Sequence, residues 1–147
     1  MKPLIENLKS DPSVEELAIE SFIKKYKFPI ELLTDEELRL AKRNGYKLMD
    51  AMNSEIISEY QLREIFGSKS KTENLSEVKN RAFELRMILI SRDLPIPLNR
   101  LDPIDYFRLA LKLRSEMDED DRNRYTVFEI YKAAETLINE ATVDTAA

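Results

Sequence analysis

Apolar residues along this chain recur at three- and four-residue steps, and no window alternates well enough to demand a sheet. Val14, Leu17, Ala18 and Phe22 form the first stripe, flanked by Ile19, Ile23 and Tyr26. Asp11-Pro12-Ser13 precedes it, a cap oxygen followed by a proline whose missing N–H costs nothing at a helix start. Phe28-Pro29 ends the helix, because the residue before proline avoids helical dihedrals. Thr34 and Glu37 have capping-box spacing. Leu38, Ala41, Gly45, Leu48 and Met52 then predict one helix to the mid-fifties, with a break near Asn53-Ser54 before Tyr60–Phe66. Gly45 in a helix interior costs about 1 kcal/mol against alanine, and close approach of a neighbouring helix would account for it.

Gly67 through Asn74 reads as the clearest flexible loop. A helix follows over about Leu75 to Arg92, ending before Leu94-Pro95-Ile96-Pro97, which must be extended. Asp102-Pro103 opens the next helix, to about Met117. Past Asp118–Asp121, the last helix shows the cleanest period, in Val127, Ile130, Tyr131, Ala134, Leu137, Ile138 and Ala141. Residues 142–147 read as a frayed end. With no repeat and no break in composition, the expectation is one all-α domain over 1–147. It would be an irregular bundle of about six helices, with at most one short edge strand near 95–101.

Two helices are too apolar for an ordinary surface position. The 75–92 helix carries Val78, Ala82, Leu85 and Leu89 on one stripe and Phe83, Met87 and Ile90 on a second, which Leu94 would continue. The 103–117 helix has Ile104, Phe107 and Leu111 on one side and Tyr106, Leu109, Ala110, Leu113 and Met117 on another. A helix apolar over more than half its circumference is either central in its own domain or covered by a partner. Phe83, Met87, Ile90, Leu94, Phe107 and Leu111 are therefore the candidates for a partner-binding face.

Composition removes much chemistry. The chain of 147 residues contains no cysteine and no histidine. Disulfides, thiolate sites and cysteine nucleophiles are excluded, and the commonest general base and transition-metal ligand are missing. Two glycines leave little for cradling a phosphate, and no nucleotide or nucleophile-elbow motif is present. The expectation is no enzyme, no metal and no cofactor. The first residues lack the apolar core of a signal peptide, and no run approaches a membrane span, so a cytoplasmic location without membrane contact is expected.

Two motifs require weighing. Asp118, Asp120, Thr126 and Glu129 fall at positions one, three, nine and twelve of an EF-hand loop. Arg122 at position five cannot ligate a cation, and Asn123 stands where the turn needs glycine, so the acids read as a cap on the last helix. The segment 58–92 offers a helix-turn-helix reading, with Lys69, Lys71, Lys79 and Arg86 toward DNA. Residues 61–100 hold eight basic and five acidic residues, although the whole chain carries −5. Against it, the turn after Gly67 exceeds the usual three or four residues, and Arg63 sits where tight crossing prefers a small side chain. The leading expectation is a non-enzymatic helical binding or adaptor protein, its partner another protein or itself. A DNA-binding regulator and a homo-oligomeric structural protein are the alternatives.

Overall fold

The computed structural model describes residues 14–67, 75–97 and 101–146. Eight α-helices and one 3-10 turn account for most of them, and none of the described residues is in a strand. Residues 95–97 belong to no regular element, so no edge strand forms among them; 98–100 lie outside the described residues. Two prolines in that stretch remove the donors a ladder would need. Contacts group the chain into two compact units, Met1–Lys69 and Ser70–Ala147.

The first unit contains α1 (Val14–Tyr26), the 3-10 turn (Ile30–Leu32), α2 (Asp35–Arg43), α3 (Gly45–Met52) and α4 (Glu59–Phe66). The expected Asp11-Pro12 start of α1 lies outside the described residues. Ala18, Ile19 and Phe22 are the buried face of α1, and Leu17, assigned to that stripe by spacing, is exposed. α1 ends in a Schellman motif, not merely at the proline. The Phe28 amide donates to the Ile23 carbonyl at 3.2 Å, with Lys27 left-handed at φ 50°. That turn aims Phe28 inward, edge-on to Phe22 (4.9 Å) and stacked on Phe66 (5.7 Å).

The helix expected from Asp35 into the fifties is two helices. Asn44 leaves helical geometry (φ −101°, ψ 33°), and its side-chain amide donates to the carbonyls of Leu40 (2.9 Å) and Ile65 (3.3 Å). An asparagine that bonds backbone carbonyls competes with the helix ladder. Gly45 thus opens α3 instead of interrupting a longer helix, and it is buried. Capping boxes start α2 and α4: Thr34 with Glu37, and Ser58 with Gln61. Lys25 Nζ reaches the Met52 carbonyl at the end of α3, at 2.5 Å.

The second unit contains α5 (Leu75–Ser91), α6 (Pro103–Glu116), α7 (Glu119–Arg124) and α8 (Val127–Ala146). α8 is the central element, packing against both α5 and α6. Phe107 stacks on Phe128 at 5.3 Å, and Tyr106 meets Tyr131 edge-on at 5.7 Å. The Tyr106 hydroxyl donates to Asn139 Oδ1 at 3.3 Å. The Asp118–Asp121 acids do not cap the last helix. They form the N-terminus of the short α7, and α8 is capped by Thr126 and Glu129, whose side chains exchange bonds with each other's amides. The backbone of α8 stays helical to Ala146, past the Ala141 at which the apolar repeat stops.

Candidate functional site

The six partner-face candidates separate by burial. Phe107 and Leu111 are fully buried and belong to the core, as do Ile104, Tyr106, Ala110 and Leu113 around them. Both apolar sides of α6 are therefore largely interior, with Leu109 half-buried, and Phe107 and Leu111 are core residues and not surface anchors. α5 resolves the other way. Val78, Ala82, Leu85 and Leu89 are buried, and the opposite face leaves Phe83, Met87 and Ile90 exposed at 66%, 51% and 55%. Three large apolar side chains in line on one helix are more than the scattered singles that surfaces normally carry.

Leu94 does not continue that line. α5 closes in a second Schellman motif: the Leu94 amide donates to the Leu89 carbonyl (2.8 Å) and the Asp93 amide to the Ile90 carbonyl (3.2 Å). Asp93 takes φ 54°, the chain reverses, and Leu94 is half-buried.

The stripe has ordered margins. Lys79 and Arg86 lie along one edge, Glu77 and Glu84 along the other, and Asn80 lies in the apolar line itself; all five are exposed. Of these, only Lys79 and Arg86 are sequence candidates, and there for DNA. Glu77, Asn80 and Glu84 are placed by heptad spacing around Phe83 and Met87. Beyond the acidic edge, Arg81 pairs with Glu129 and lies 4.3 Å over the Tyr125 ring, and the Tyr125 hydroxyl donates to Glu84 at 3.2 Å.

Of the four helix-turn-helix candidates, Lys79 and Arg86 are exposed on α5. Lys69 and Lys71 lie outside the described residues, and α4 and α5 fall in different compact units. In the first unit, a cleft among Phe22, Phe28, Leu38, Ala41 and Leu48 encloses about 210 Å³, open mouth included. It is lined by apolar residues alone and so offers no polar side chain to orient a ligand. Among the described residues no cluster of three acidic groups could hold a metal ion, and no helix is long and apolar enough to cross a membrane. Comparison with protein-family models, curated proteins and solved structures gives no match to the chain.

Proposed function

We propose that this is a non-enzymatic binding protein that acts through the exposed face of α5, with a cytoplasmic setting as part of the same reading. One observation carries it: Phe83, Met87 and Ile90 stand exposed in line, opposite the face that α5 gives to its own core. Covering the half to two-thirds of each side chain that is still exposed gains roughly 1–2 kcal/mol, before the costs of association. Helix-face contact is the mode that spacing suits, with a few apolar anchors supplying most of the energy inside a polar margin.

The test is affinity capture with the full chain and with Met87→Asp, each with and without nuclease. The expected result is a nuclease-resistant protein partner captured by the wild type and lost in Met87→Asp, with helicity unchanged by circular dichroism. Recovery that disappears with nuclease, and whose affinity falls steeply with salt, would replace this reading with DNA binding along Lys79 and Arg86.

A further inference from the structure

We infer that the occupant of the α5 face is a second copy of this chain, paired with the first as a parallel, in-register two-helix seam; this rests on the binding-face reading above. Phe83, Met87 and Ile90 step by four and then three residues, the spacing of a coiled-coil seam. The same steps taken backward reach Asn80 and Ser76, and all five residues are exposed.

The margins decide both the partner and its direction. One edge carries Lys79 and Arg86, the other Glu77 and Glu84. In a symmetric antiparallel pair like edges meet, so cations would face cations and carboxylates would face carboxylates. In a symmetric parallel pair unlike edges meet. Lys79 of one copy then lies opposite Glu84 of the other, and the contact occurs twice by symmetry. The face is thus complementary to itself in one orientation only. Asn80 points the same way, because an asparagine in a seam favours two parallel strands in register, at a cost in stability. Tyr125 holds Glu84 by a hydrogen bond and leaves the carboxylate further acceptor sites for a lysine. Because α5 stops at Ser91, the seam covers only about two heptads, and the pairing is weak and reversible.

The test is sedimentation equilibrium of the full chain over a concentration series in low-salt buffer. The wild type should show a monomer–dimer equilibrium that Met87→Asp abolishes. Lys79→Glu should raise the dissociation constant roughly tenfold, exchanging two exposed ion pairs for two like-charge contacts. Combining it with Glu84→Lys should restore wild-type association, which a purely structural role for either residue would not do. Asn80→Cys, in a chain with no other cysteine, reads the direction. A parallel seam brings the two Cα atoms within the roughly 4.4–6.8 Å a disulfide spans. Antiparallel pairing about Met87 leaves them about 20 Å apart, at 1.5 Å per residue. A monomer at every concentration, a dimer indifferent to Met87→Asp, or failure of the charge swap to rescue each overturns the seam. A monomer whose α5 face still captures a different protein, sensitive to Met87→Asp, overturns self-pairing and leaves the binding face standing.

Discussion

Arg81 on α5 pairs with Glu129 in the first turn of α8, and Glu129 divides its carboxylate between two tasks. Oε2 faces the guanidinium, and Oε1 accepts from the Thr126 amide and hydroxyl at 3.4 and 3.3 Å. Both side chains are more than four-fifths buried, so the pair is well shielded from solvent. Glutamine at 129 keeps the cap acceptor and loses the charge, whereas alanine loses both. Glu129→Ala should destabilise by about 2–3 kcal/mol and Glu129→Gln by about 1–2 kcal/mol, read from urea unfolding followed by circular dichroism. Equal losses would mean that the cap contributes nothing.

Lys27 and Asp93 hold the left-handed positions of the two Schellman motifs, where glycine is the usual occupant. Lys27→Gly should therefore stabilise by up to about 1 kcal/mol, the relief of the Cβ clash outweighing the added freedom of the unfolded chain. Asp93→Gly should gain less, since aspartate tolerates this region better than lysine. A fall in thermal midpoint for Lys27→Gly would contradict the assignment.

The two apolar helices should respond oppositely to truncation. Phe107→Ala should cost about 3–5 kcal/mol and Leu111→Ala about 2–5 kcal/mol, because both leave cavities in a closed core. Phe83→Ala, at an exposed position, should fall within about 0.5 kcal/mol of wild type. Denaturation at low protein concentration checks this with self-association kept out of the measurement.

Asn44 joins the end of α2 to Ile65 on α4 through one side-chain amide. Asn44→Ala should cost about 1–2 kcal/mol by leaving two carbonyls without that donor. Asn44→Asp should cost at least as much, since a carboxylate cannot donate to them. Protection of the Leu62–Phe66 amides in hydrogen exchange should fall in both variants.

Helix content and most starts were legible from the chain, because apolar period, Thr34/Glu37 and Asp102-Pro103 are local signals. Thr126/Glu129 and Ser58/Gln61 have the same capping spacing and were equally readable, but the acidic run beside the first drew the start of the last helix away from it. The break at Asn44 was not legible, since its cause is a bond to Ile65, distant in sequence. Period alone also left α5 and α6 alike: each shows two apolar stripes, and only packing reveals that Phe107 is enclosed while Phe83 is not. A helix wheel puts Leu94 on the α5 stripe because it carries no information about the chain reversal at Asp93.

An element with apolar residues on opposite sides presents its neighbour with two candidate surfaces, and hydrophobicity alone discriminates poorly between them. Turning α5 by half a revolution would offer Phe83, Met87 and Ile90 to α8 in place of Val78, Leu85 and Leu89. It would also carry Arg81 away from Glu129 and Tyr125, stranding a mostly buried carboxylate. The polar anchor thus favours one rotational setting of the helix over another that greasy contact alone would tolerate.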